Sequence, residues 1–335
     1  MFRTLSEHEA AAVIADLGKN GKVDVVMHMS PDADTTGCAL AVMATLNENG
    51  GDAVCVCSDP VPEYLRFLPG STDVRCELRE DAERISVDVA SPAQLGRFSE
   101  VCGTFRLQID HHGRGEIYAD NTVDADAAAC GEIVFRILRI LADEYGMRIP
   151  TAAFTYLYAA ISGDTGSFRF ANTTEKTHMI AAELHSMGAD TVWAAHNLHA
   201  VKTRGALAAR RIGLRNMKYL CHDRLAVTSA TISEMEEGGV GAGDFSEADE
   251  MRSAMGVYVG VSLRECEPGV WRASTRANVD IDCSAVCGQF GGGGHKGAAG
   301  CTLRNVDREA AVAAMESAFG MAIEEYEKRT GIGQK

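Results

Sequence analysis

Residues 23–50 read VDVVMHMSPDADTTGCALAVMATLNENG. An apolar run over 23–28 gives way to a polar turn. From about 36 the apolar residues fall at helical spacing and stop at Gly50 and Gly51. That is a buried strand feeding a helix. The same alternation continues outward. AVCVC (53–57), ISVDVAS (85–91) and FRLQID (105–110) read as strands, and helices follow at about 127–146 and 151–162. The order predicts an α/β fold with a doubly wound, mainly parallel sheet and helices on both faces. Ligands bind beyond the carboxyl ends of the strands in such sheets. Residues 174–218 read as helical throughout. Beyond them, 224–232, 256–266 and 270–278 read as strands, followed by a Gly-rich loop and a last helix at about 307–328. The expected division is a first domain over 1–190, a helical connector over 191–217, and a smaller α/β domain with a mixed sheet over 218–335.

Composition narrows the class. The 335 residues are 46% apolar and 24% charged, enough for two buried cores. Lys and Arg number 32 against 47 Asp and Glu, a formal charge of −15. That argues against a long nucleic acid as partner, because polyelectrolyte binding needs many cations on one face. A short anionic ligand remains compatible. The eleven cysteines are odd in number and scattered, so they read as free thiols in a reducing cytoplasm. No run of roughly 18 apolar residues occurs, so no membrane partner is expected. The N-terminal stretch reads as an amphipathic helix rather than a signal peptide. A cytoplasmic location follows.

Polar residues gather where strands end. His28 closes the first strand, and Asp32 and Asp34 follow it, with Gly37 read as opening the helix. Asp88 lies near the end of another strand. FRLQID ends in Asp110, and His111 and His112 come next. A helix ends in SGDTG, which carries Asp164. All fall at one edge of the expected sheet. Two-metal hydrolysis needs such a cluster: two divalent ions activate a water and stabilise both oxygens of an in-line phosphoryl displacement. Asp32 and Asp34, two apart on extended backbone, would face one way. Four aspartates carry −4 against +4 for two divalent ions. The Asp/His set without thiolate suits Mn²⁺, with Mg²⁺ or Co²⁺ as alternatives. Singly, each residue has a plainer reading: Asp32 and Asp34 as turn or N-cap residues, Asp164 as a turn, and the two histidines as structural. Asp88 inside an apolar strand is harder to explain that way, since a buried carboxylate needs a partner.

Residues 288–300 read GQFGGGGHKGAAG, seven glycines in thirteen. Without Cβ atoms, backbone N–H groups at Gly292, Gly293 and Gly294 approach an anion or a base closely. His295 and Lys296 add donors, and Arg276 in the preceding strand adds a forked one. A hinge or hairpin is the plainer reading. This is not a phosphate loop of the GxxxxGK[ST] type, since Gly297 follows Lys296. Residues 201–213 read as a solvated basic helix face. Residues 236–250 read as an acidic Gly-rich loop and helix start, facing solvent.

At this point the motifs resemble those of the DHH phosphoesterase superfamily. HMSPDADTTGC (28–38) is similar to its first motif and VDVAS to its second. Asp110-His111-His112 is similar to the third, and SGDTGSF (162–168) to the fourth. NTVDADAAACGEIV (121–134) resembles the nanoRNase/pAp-phosphatase branch. Ser274, Arg276 and the 291–300 run resemble the substrate element of the DHH-associated C-terminal domain. The resemblance spans nearly the whole chain, in order. It implies that His28, Asp32 and Asp88 hold one ion. Asp34, Asp88, His111 and Asp164 hold the other, with Asp88 shared. It implies His112 at the scissile phosphate, Asp110 orienting the histidines, and Arg276, His295 and Gly292–Gly294 on the far nucleotide. Two departures stand out. Cys38 takes the place of the usual Ser, at a position read as a helix-start cap. Gly113-Arg114-Gly115 follows the third motif, where Arg114 is a candidate to touch a phosphate.

The function so implied is a Mn²⁺-dependent phosphodiesterase and phosphatase. Its substrates would be RNA of two to five residues, pApA and 3′-phosphoadenosine 5′-phosphate, and its products 5′-mononucleotides. A cyclic dinucleotide phosphodiesterase is the alternative. A RecJ-like single-strand exonuclease and a non-catalytic nucleotide-binding protein stand further off. The family also makes a homodimer plausible.

Overall fold

Val23 and Val25 face one side of their strand and Val26 the other, and both sides are buried. A strand with two apolar faces belongs inside a parallel sheet. The computed structural model, which describes residues 2–241 and 245–332, has it there. The chain divides into two compact units, Met1–Val201 and Lys202–Lys335. The division falls inside the stretch read as a connector.

The first unit runs α1 (Glu7–Asn20), β1 (Lys22–Val26), α2 (Ala33–Glu48), β2 (Asp52–Val56), β3 (Ala82–Val87), β4 (Leu107–Asp110), β5 (Asn121–Val123), α3 (Cys130–Tyr145), α4 (Thr151–Asp164), α5 (Glu175–Ser186) and α6 (Thr191–Ala195). Its strands are parallel in the order β2-β1-β3-β4-β5. The chain leaves β1 in opposite directions toward β2 and β3, so the switch point lies between β1 and β3. One face packs against α1 to α4. The other is covered by 3₁₀ turns over Pro92–Thr104, whose Leu95 and Phe98 join Val26, Val56 and Tyr118. β5 carries too short an apolar run to read as a strand. It forms because β4 offers it an open edge.

Two local readings need correction. α2 begins at Ala33, not near Gly37, because the Asp32 carboxylate caps it by accepting from the N–H groups of Asp34 and Thr35. Asp32 and Asp34 therefore sit across a helix start, not on extended backbone. Cys38 lies buried inside α2 and caps nothing. The helical reading of 174–218 breaks at Gly188, at a π-helical turn over His196–Ala200, and again at β6.

The second unit runs α7 (Arg204–Arg215), β6 (Lys218–Leu220), β7 (Leu225–Ala230), α8 (Ile232–Gly238), α9 (Ala248–Arg252), β8 (Val259–Glu267), β9 (Val270–Ala277), α10 (Cys283–Gly288), β10 (Gly293–His295), β11 (Ala298–Arg304) and α11 (Arg308–Thr330). The sheet order is β10-β11-β9-β8-β7-β6; β7 and β8 are parallel and the other pairs antiparallel. Trp271, Met315 and Phe319 sit in its core. The stretch 236–250 holds the end of α8 and the start of α9, with Val240 and Phe245 buried instead of solvent-facing; residues 242–244 lie outside the described residues.

The Gly-rich stretch is a helix end and a hairpin, which agrees with the plainer of its readings. A Cβ on Gly292 would lie 2.2 Å from the Gly300 carbonyl oxygen, and Gly294 holds φ +145°. These two glycines let β10 lie against β11. Gly293 has no atom within 4 Å of its Cβ direction, so only there among the three is the backbone open as expected. All eleven cysteines are free thiols. Among the described residues, no helix is long and apolar enough to cross a membrane.

Gly37 decides how closely α2 meets α4. A Cβ there would lie 2.4 Å from the Tyr156 carbonyl oxygen and 2.9 Å from the Ala160 Cβ. Gly37→Ala is therefore expected to lower unfolding free energy by about 2 kcal/mol in a urea titration. Unchanged stability would mean that this approach does not set the α2–α4 spacing.

Candidate metal centre

β1, β3 and β4 end side by side, with Val26 opposite Ser86 and Val87 opposite Ile109. The next residues of each strand are the polar ones. His28 follows β1, Asp88 follows β3 directly, and Asp110 ends β4 ahead of His111 and His112. Asp32 and Asp34 enter from the start of α2, and Asp164 from the last residue of α4. Three groups of ligand-type atoms result, the atoms of each lying within 4.8 Å of one another. They are His28, Asp32 and Asp88; Asp34, His111 and Asp164; and Asp88, His111 and His112.

Asp88 stands at the middle. Its backbone turns into the left-handed region, φ +58°, immediately after β3. That conformation costs about 1 kcal/mol or more outside glycine. The Asp88 N–H still donates to the Ile109 carbonyl at 2.8 Å, which holds the turn against β4. Oδ2 lies 3.5 Å from His28 Nε2, and Oδ1 lies 3.4 Å from His111 Nε2. Each oxygen of one buried carboxylate thus faces a different imidazole. Oδ1 has no hydrogen-bond partner.

The histidine tautomers follow from their other nitrogens. His28 Nδ1 lies 2.8 Å from the Met29 carbonyl oxygen, and His111 Nδ1 lies 3.3 Å from that of Ala127. A carbonyl oxygen only accepts, so both Nδ1 atoms carry hydrogen. Both neutral rings then turn an Nε2 lone pair toward carboxylate oxygens. His28 Nε2 is 3.5 Å from Asp32 as well, and His111 Nε2 is 3.4 Å from Asp164 and 3.9 Å from Asp34. Lone pairs facing lone pairs call for a cation between them. Without one, protons take its place. Burial disfavours the charged ring at both positions. Asp32 and Asp88 nevertheless push the His28 pKa up to about 11, and Asp88 and Asp34 push that of His111 up to about 10. Burial and the Asp88 charge push Asp164 up to about 6, and Asp34 is raised by burial and by Asp88 and Asp164. Among the described residues no Lys or Arg pairs with Asp32, Asp34, Asp88 or Asp164. Oxygen and imidazole donors, an orphaned carboxylate oxygen and no thiolate in the three groups fit hard or borderline divalent metals.

Three further features support the cluster and were not legible beforehand. Asp34 accepts from the N–H groups of Cys130 at 2.7 Å and Gly131 at 2.9 Å, so its charge sits on the N-terminus of α3. The Cys38 thiol lies 3.3 Å from Oδ1 of the same carboxylate. Thr35 donates from Oγ1 to the Val87 carbonyl at 2.9 Å and accepts from the His28 N–H at 3.4 Å, tying α2 to the ends of β1 and β3. Asp110 sits 2.7 Å from His112 Nδ1 and accepts from the His111 N–H at 2.9 Å. Its hydrogen bond raises the His112 pKa. The His112 ring is partly exposed, and its Nε2 stands clear of Asp110 and Asp88.

The other expected site residues are not among these three groups. Arg114 is exposed in the loop beyond His112. Arg276, His295 and Gly292–Gly294 belong to the second unit. Arg276 lies on β9 with Nε 3.4 Å from Asp249, and His295 ends β10, exposed. Lys296 pairs with Asp280.

Aspartates and histidines gathered at the carboxyl edge of a parallel sheet define a hydrolase of phosphoester bonds that works with divalent metals. Residues 22–161 match the model of the DHH family N-terminal domain, and residues 226–321 that of the DHHA1 domain. The chain belongs to the DHH family. It is 31% identical over 313 residues to the bifunctional oligoribonuclease and PAP phosphatase NrnA of Thermus thermophilus, covering 90% of this chain and 91% of that protein. It is 33% identical over 159 residues to the Bacillus subtilis protein of the same name, about half of each chain. An exopolyphosphatase-related protein from Bacteroides fragilis shares the fold, with a TM-score of 0.83 over 96% of both chains at 22% identity.

Asp88 belongs to two of the three groups, so it should govern cation binding. Saturating Mn²⁺, at about a hundred times its Kd, is expected to stabilise the stripped protein by about 2.7 kcal/mol for each ion bound. Asp88→Ala should abolish most of that shift in a melting experiment. A full shift in the variant would remove Asp88 from the centre.

Proposed function

We propose that the protein hydrolyses short oligoribonucleotides and linear dinucleotides such as pApA to 5′-mononucleotides, and 3′-phosphoadenosine 5′-phosphate to AMP, with two Mn²⁺ ions. The observation that carries this is the single buried carboxylate, Asp88, whose two oxygens face His28 and His111 separately. In this reading His28, Asp32 and Asp88 hold one ion, and Asp34, Asp88, His111 and Asp164 hold the other. When bound, the ions supply an activated water and neutralise charge on the phosphoryl group.

The chain's own residues do the rest. Asp110 fixes the His112 ring through Nδ1 and favours its charged form, so His112 offers an Nε2–H to the leaving oxygen. Thr35 and the N-terminus of α3 keep Asp34 and Asp88 in register. Arg276, His295 and the Gly292–Gly294 backbone hold the remainder of the nucleotide, and Arg114 touches a phosphate. The name and activities of the Thermus thermophilus relative, similar along nearly the whole chain, support this substrate class.

The test is a product time course with Mn²⁺ and with EDTA. Substrates are pApA, a graded oligoribonucleotide series, 3′-phosphoadenosine 5′-phosphate and cyclic di-AMP. The expected result is metal-dependent cleavage of the shortest strands with weak action on long ones. Cyclic di-AMP turned over faster than pApA would overturn the reading in favour of a cyclic dinucleotide phosphodiesterase. His112→Asn is expected to lower kcat by roughly 10²–10⁴-fold while bound metal stays unchanged.

A further inference from the structure

Antiparallel pairing puts Arg264 directly opposite Arg272, and Arg272 directly opposite Thr302. Arg304, two residues beyond Thr302, shares their face. Side chains directly opposite in such a ladder stand about 4.5–5.5 Å apart at Cβ, where like charges destabilise the sheet. Among the described residues none of these three guanidinium groups has an ion pair or a hydrogen bond, and Arg264 Nε is buried without a partner. Arg210, Arg215, Arg252 and Arg308 in the same unit all pair with carboxylates. A chain with a formal charge of −15 had acids to spare for the three and placed none there.

The space beside them is a cavity of about 470 Å³, lined by Arg272, Arg304, Thr302, Phe290 and Gly291–Gly293. Its walls combine forked cations, a hydroxyl and one aromatic ring. At the other end of the face α9 closes the sheet: a Cβ on Gly260 would meet the Ala248 carbonyl oxygen at 2.2 Å. The arginine end is the open one.

We propose that Arg272, Arg304 and Arg264, with Thr302 and Phe290, form a second phosphate-and-base subsite. It engages nucleotides of an oligoribonucleotide beyond those held at Arg276. The proposal rests on the oligonucleotide reading above and extends it to strand length. Arg272 and Arg276 lie on one face of β9, four residues and so about 13 Å apart along the strand, and Arg276 is turned toward Asp249, 3.4 Å from its Nε. They would hold different phosphates of one strand. Arg264 and Arg304 relieve their mutual repulsion on the same anion, and Phe290 gives a base a surface to stack on. The second unit would thus set length preference, favouring trimers to pentamers over dimers in affinity.

The test compares wild type with Arg272→Gln/Arg304→Gln in the full, Mn²⁺-loaded chain. Hydrolysis of pA2 to pA5 gives KM and kcat. Anisotropy of a 3′-labelled, phosphorothioate-linked pA5 gives binding without turnover. In the variant, pA5 affinity is expected to fall by about tenfold or more. The salt slope of binding should flatten by roughly 0.7, for the one phosphate that the variant no longer neutralises. KM and kcat for pA2 should stay as in wild type, and Arg272→Lys/Arg304→Lys should restore most of the pA5 affinity. Arg276→Gln should weaken pA2 and pA5 alike. An unchanged pA5 affinity, or an equal loss at every length, would overturn the subsite. Failure of the wild type to hydrolyse pA2 at all would instead refute the catalytic reading. The binding arm would still decide the subsite.

Discussion

Four carboxylates, those of Asp32, Asp34, Asp88 and Asp164, converge on a space where no Lys or Arg among the described residues pairs with them. Two such charges about 4 Å apart repel by about 4 kcal/mol even at an effective dielectric of 20. The fold holds them by committing local structure to each. Asp32 caps α2, and Asp34 rests on the N-terminus of α3. Asp88 is turned inward by a left-handed backbone. Two imidazoles with their Nδ1–H groups committed to carbonyl oxygens fill the gaps. In the metal-free chain only protons balance this charge, and the raised pKa values of His28, His111 and Asp164 record that. Divalent cations bound there would take over the balancing of this charge.

The parallel sheet makes this possible. Its order turns the chain outward on both sides of the β1–β3 boundary, so neighbouring strand ends open into a crevice. α2 and α4 close on it, as tightly as the missing side chain of Gly37 allows. The second unit follows a different logic. Its mixed sheet carries Arg264, Arg272 and Arg304 on one face, and among the described residues none of the three has an ion pair. A global charge of −15 therefore describes the chain poorly as a ligand surface.

Much of this was legible in the sequence. Polar residues that end apolar runs, at His28 and Asp110, mark strand ends directly, because a buried strand tolerates no unpaired charge within it; Asp88 read as lying inside a strand over 85–91, which stops at Val87. The parallel order followed from alternation alone. The failures share a cause in long-range pairing. The Gly-rich stretch at 288–300 left a loop and a hairpin open, because short strands of glycine carry no side-chain pattern and only the ladder to β11 makes them strands. β5 exists because β4 offers it an edge. The left-handed turn at Asp88 has no signature in VDVAS. Cys38 read as a cap because the start of α2 was placed a few residues late, and its approach to Asp34 depends on one helical turn. The unpaired arginines needed the register of three strands before they could be seen as neighbours.

Whether Asp88 is shared between two metal ions is read most directly by anomalous diffraction at the manganese edge, from crystals grown with Mn²⁺. Two peaks are expected, one on the His28 side of the Asp88 carboxylate and one on the His111 side. A single peak, or two peaks of which neither touches Asp88, would rule the shared carboxylate out.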